Sequence, residues 1–114
     1  MSLAHFISLQ NKNPGFDTFV NGKAIAHACD ELEAIAVKEG VASIMSYYGR
    51  KWYGADTGLA TVHALIRHLE ANPKAVPDAG DVIDDLKEWE EVLLKAKDAG
   101  IKWKMKIHFP IINN

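Results

Sequence analysis

The run Ile101-Lys102-Trp103-Lys104-Met105-Lys106-Ile107-His108-Phe109 alternates an apolar residue with a lysine or histidine from end to end. Successive side chains of a strand point to opposite faces, so a period of two predicts a strand with one dry face and one wet face. Pro110 ends it. A two-stranded ribbon alone is marginal in water, so this strand needs a partner and a layer of helices over its dry face. The partner is expected in residues 3–9, a short apolar stretch with Phe6 and Ile7 that closes on the turn-forming run Asn11-Lys12-Asn13-Pro14-Gly15.

Three helices are expected between these strands. In the first, Ile25, Ala28, Cys29, Leu32, Ile35 and Ala36 recur at helical spacing from Ala24 onward, with Gly40 placed for a left-handed cap. The second is capped by Asp56 or Thr57, buries Leu59, Val62, Leu65, Ile66 and Leu69, and stops at Asn72-Pro73. The third opens at Asp78 or Asp81, carries Val82, Leu86, Trp89, Leu93 and Ala96, and stops at Gly100. The Asn21-Gly22 pair reads as the entry to the first helix. Residues 41–58 are least regular: Ser43 caps a short turn over 44–48, or residues 41–47 add a third strand. The expected fold is α+β, three main helices packed on a small sheet containing the N- and C-terminal strands. No Pro/Gly/Ser-rich stretch divides residues 1–114, which read as one domain.

Composition narrows the function classes. Fifteen acidic and thirteen basic residues give a net charge of −2, too weak a field for strong nonspecific binding to DNA or an anionic membrane. One cysteine, Cys29, excludes an intramolecular disulfide and fits a reducing compartment. The first ten residues lack the pattern of a signal peptide and no run approaches a membrane span, so a cytoplasmic location is expected.

Two stretches carry a resemblance. Asn21-Gly22-Lys23-Ala24-Ile25-Ala26 followed by Asp30-Glu31-Leu32-Glu33-Ala34-Ile35-Ala36 and Gly40-Val41 is one. Trp52-Tyr53 through Gly58-Leu59-Ala60-Thr61-Val62 to Val82-Ile83-Asp84-Asp85-Leu86 and the closing strand is the other. Together they resemble a set of small uncharacterised bacterial proteins. The resemblance implies a compact bacterial domain and brings no activity, cofactor or catalytic residue.

Helical geometry tests the reactive residues. His27 and Cys29 stand roughly 160° apart around one helix and cannot work as base and nucleophile. His27 is expected in solvent, and Cys29 at the edge of the apolar stripe as a small buried hydrophobe. His63 and His68 stand roughly 140° apart, where two ligands of one metal need a spacing of three or four residues. Acids crowd residues 78–91 and lysines residues 95–106, which complements the dipole of the third helix and reads as a solvated face. No metal site or cofactor is expected. On the wet face of the last strand, Lys102, Lys104 and Lys106 read as protection against edge-to-edge pairing.

Residues 46–54 stand out, with Tyr47, Tyr48, Trp52, Tyr53, Arg50, Lys51 and two glycines in one short connection. The rings either roof the core or bind; in the second case the cations point to an acidic partner, and Tyr47, Tyr48, Arg50, Lys51, Trp52 and Tyr53 are the candidate site. On helix three, Ile83 and Leu94 widen the apolar face, which meets the sheet or a second copy in a homodimer. A non-enzymatic protein-binding or regulatory module, immunity- or inhibitor-like or an adaptor, is the leading expectation. A small-molecule binder or enzyme built from the 46–54 loop with His63 or His108 ranks second, and a weak nucleic-acid binder third.

Overall fold

The computed structural model describes residues 4–20 and 22–108. The expectations for Leu3, Asn21, Phe109 and Pro110 lie outside the described residues, as do the side chains of Phe6, Ile107 and His108. Strand β1 spans Ala4–Leu9 and pairs antiparallel with β2, Trp103–His108. Ile7 lies opposite Met105 and Leu9 opposite Trp103. These four side chains are buried together, so the sheet has the dry face that the alternation predicts.

The helices between the strands are α1 (Lys23–His27), α2 (Cys29–Glu39), α3 (Ala55–Ala71) and α4 (Ala79–Ala99). The faces expected of the two longer helices are buried against each other: Leu59, Val62, Leu65, Ile66 and Leu69 of α3, and Val82, Leu86, Trp89, Leu93 and Ala96 of α4. Both α2 and α4 end on a glycine in the left-handed region, Gly40 at φ 72° and Gly100 at φ 68°. In each case the residue beyond the glycine, Val41 or Ile101, donates its N–H to the carbonyl five residues back, Ala36 or Ala96. Each also packs against the core, which is the hydrophobic contact of this cap. Among the described residues no helix is long and apolar enough to cross a membrane.

The first helix and the side-chain caps need correction. The first helix is two, broken at Ala28, where neither glycine nor proline marks the place. The two pieces have different partners, since α1 packs on α4 and α2 on α3. Side-chain caps do not start α3 or α4. Gly54 is the residue at the start of α3, and the Thr57 hydroxyl donates back to the Gly54 carbonyl instead of capping an N–H. Asp78 precedes α4 in the left-handed conformation at φ 54° and makes no side-chain cap bond. Of the two alternatives read for residues 41–48, the short turn is the one that forms, as 3-10 helix over residues 44–47, with Ser43 before it making no side-chain cap bond. The third member of the sheet is a single bridge from Tyr53 to Trp103.

Trp103 is the contact between layers. Its indole is 1% exposed and lies on α3 at Gly58, the one position there where a side chain has no room. A Cβ on Gly58 would overlap the Trp103 ring and press on Leu93. Glycine to alanine inside a helix ordinarily gains about 1 kcal/mol from propensity. Here overpacking of about 1–3 kcal/mol opposes it. Gly58→Ala is therefore expected to lower the urea midpoint, and an unchanged or higher midpoint would show that the ring does not fill this space.

Candidate functional site

The connection between the 3-10 turn and α3 divides its aromatic residues between the core and the surface. Tyr47 goes inward and is 2% exposed. Its hydroxyl donates to the Thr57 carbonyl at 2.9 Å and lies 2.9 Å from the Thr61 hydroxyl, which donates to the Ala42 carbonyl at 2.7 Å. Its ring packs at 4.6 Å from Trp103 and edge-on to Tyr53 at 5.0 Å. Tyr53 is half-buried, exchanges both backbone hydrogen bonds with Trp103, and ties its hydroxyl to the Ser46 carbonyl. Tyr48 is also half-buried; burial, then the neighbouring Cys29 and Glu33, pushes its phenol well above the usual tyrosine range. Tyr47 and Tyr53 thus fasten the loop down, and the roofing role expected of the rings is theirs.

Arg50, Lys51 and Trp52 are left towards solvent. Arg50 and Lys51 are exposed, with the Lys51 ammonium 5.4 Å from the Tyr53 ring. Trp52 follows from the bridge: because Tyr53 pairs with Trp103, the preceding residue falls beside Lys104 on the opposite face of the sheet. The Lys104 ammonium lies 4.4 Å from the Trp52 ring centroid. An aromatic ring therefore shares the lysine face, reaching it from the loop and not from the strand. The wet face of the sheet presents Lys104, Lys106 and Ser8 with Trp52 at its margin, and its described strand positions carry no carboxylate. A cation over an indole is worth about 0.5–1 kcal/mol at an exposed site, enough to hold the ring against the sheet.

The histidines take separate partners. His63 Nε2 lies 2.7 Å from Glu90 on α4, and His68 Nδ1 lies 2.8 Å from Glu39 on α2, so the two rings tie α3 to different neighbours. None of the five main clefts among the described residues joins His63 to a tyrosine of the 46–54 loop. His27 is exposed as expected. Cys29 is half-buried; burial, then Glu33, Asp30 and Glu31, pushes its thiol up and keeps it protonated and inert. No group of three or more histidine, cysteine or acidic side chains among the described residues is arranged to hold a metal ion.

Asp85 is the functional group that helix periodicity misplaces. It was grouped with the solvated acids of α4, yet it is 6% exposed. Its carboxylate accepts the N–H of Ala24 at 3.0 Å and a second backbone bond from Ile25, and so caps the start of α1 from another helix. The residue at the start of α1, Gly22, offers no side chain for the purpose. No local signal marks Asp85, since the groups it satisfies are 61 residues away.

No family model, curated protein or solved structure matches this chain. The residues themselves therefore carry the functional reading. The apolar flank of α4 divides, with Ile83 packed against the core and Leu94 45% exposed.

Burial above all raises the Asp85 carboxyl over its ordinary value of 3.8; the backbone bonds from Ala24 and Ile25 lower it, Glu88 and Asp81 raise it, and the net shift is upward. The folded state therefore holds this proton more tightly than the unfolded chain does. Its contribution to stability is complete below that ordinary value and is lost as pH rises through the raised one. Asp85→Asn has no such proton to lose. Urea midpoints of wild type and Asp85→Asn are expected to diverge, with the wild type falling relative to the variant as pH rises through this window; parallel profiles would contradict the assignment.

Proposed function

We propose that this chain is a non-enzymatic protein-binding module of the inhibitor, immunity or adaptor kind, and that it docks an acidic segment of its partner on the wet face of the sheet. The observation that carries this reading is Lys104 against Trp52, continued by Lys106 on the same face, with the exposed Arg50 and Lys51 just before Trp52 in the chain. An indole with one flat side supported by a cation is a rigid anchor, and tryptophan and arginine are enriched among the residues that dominate protein interfaces. The scaffold supports the role, because Trp103, Tyr53 and Tyr47 hold the backbone beneath Trp52 by hydrogen bonds and ring contacts. Of the six residues expected to bind, this reading keeps Arg50, Lys51 and Trp52 as the contact set and gives Tyr47, Tyr48 and Tyr53 the task of positioning them.

A second reading draws on the same pair. Single-stranded nucleic acid is also bound by aromatic platforms beside cations. The acids of α4 and the net charge of −2 weigh against it. The two separate on salt dependence, since binding of an oligonucleotide weakens steeply with salt for every phosphate neutralised.

Affinity capture from the native host with wild type beside Trp52→Ala/Lys104→Ala tests the proposal. Both side chains lie outside the core, so loss of their contact is expected to shift thermal unfolding by about 1 kcal/mol or less. Loss of an anchor of about 2 kcal/mol would remove a captured protein from the variant. A protein retained equally by both forms would exclude this face.

A further inference from the structure

The lysine face opens at one side into a cleft. It lies between β1 and residues 11–18, has a volume of about 370 Å³, and shares Ser8 and Lys106 with the face. The cleft is open to solvent along much of its length, with room for one side chain of a partner. The segment forming its outer wall is held by its own turns: Asn11 Oδ1 accepts the N–H of Asn13, and Asp17 Oδ1 accepts the N–H of Phe19. Pro14 and Phe16 give that wall an apolar part, and Phe16 also packs against the core.

Two cations look into this cleft, Lys12 from the wall and Lys106 from β2. Neither forms an ion pair with a described residue. Ser8 and Thr18 add hydroxyl groups. The single carboxylate present, Asp17, has one oxygen engaged by the backbone of its own turn, so the lining keeps an excess of positive charge. Lysine at both positions supplies two point charges without a planar fork, so the cleft selects by charge, an anionic side chain over a neutral one.

We propose that this cleft is the anchor pocket of the docking face, taking one glutamate or aspartate side chain of the partner segment between Lys12 and Lys106. The assignment rests on the protein-binding reading above and adds to it the chemistry of the partner. The segment would run across the strands, with one acidic side chain in the cleft and its neighbours over Lys104 and Trp52.

The test uses the full chain, isotopically labelled, and an acetylated and amidated pentapeptide alternating glutamate with valine. Its glutamine counterpart and a version with phosphoserine in place of glutamate serve as comparisons. Amide shifts of Ser8 and Thr18 report the cleft, and the Trp52 indole N–H reports the face. The glutamate peptide is expected to move both sets in a saturable way, and Lys12→Ala to weaken it by about fivefold, as for one ion pair near 1 kcal/mol, with Lys12→Arg restoring binding. Lys12 belongs to the cleft and not to the strand face, so shifts at Trp52 without shifts at Ser8 and Thr18, and with Lys12→Ala binding as wild type, would overturn the pocket and leave the face standing. A glutamate peptide no better than the glutamine one at either place would overturn both. Binding of the phosphoserine version about tenfold tighter would overturn the choice of carboxylate.

Discussion

The burial of one indole, Trp103, holds the layers of this protein together. Its ring fills the space left by Gly58 on α3, its Nε1 donates to the Gly54 carbonyl at the start of that helix, and its backbone exchanges hydrogen bonds with Tyr53. One residue of β2 thereby fixes the sheet, the first turn of α3 and the loop that carries Trp52. A large aromatic surface withdrawn from water supplies the stabilisation, and the indole N–H finds the acceptor that burial demands. The loop is irregular in backbone, yet both its ends are tied to this residue or to its neighbours.

The charges are arranged on the same plan. Acids gather in the first turns of α4 and lysines along β2, while Lys87, Lys95 and Lys97 of α4 pair with Glu70, Glu91 and Asp56. Asp85 has left the acidic group to satisfy two backbone donors of α1, at the expense of desolvating a carboxylate. The lysines of β2 lie on the wet face of the sheet, where lysine opposes the addition of further strands, and Trp52 shares that face with them.

What could be read from the sequence follows the range of each interaction. Both strands, α3, α4 and the glycine ends of α2 and α4 rest on spacings of two, three or four residues, and the sequence displays those directly. The break at Ala28 was invisible because it arises from packing on two different helices, and α1 held by Asp85 is fixed from across the fold. Likewise the 46–54 loop was legible as an oddity and not as a division of labour. Whether a ring faces the core or the solvent there depends on the bridge between Tyr53 and Trp103, a pairing across half the chain. The lysine alternation was plain, while the aromatic that shares its face arrives from a distant segment.

The pairing of β1 with β2 joins segments separated by almost the whole chain, so the sheet is the part of the fold with the largest loop to close. Contacts between α3 and α4 close a far smaller loop than the sheet does. The notch at Gly58 lies on α3 and is filled from β2, so the helical pair alone leaves apolar surface there open to water, and its cover comes from the far end of the described residues.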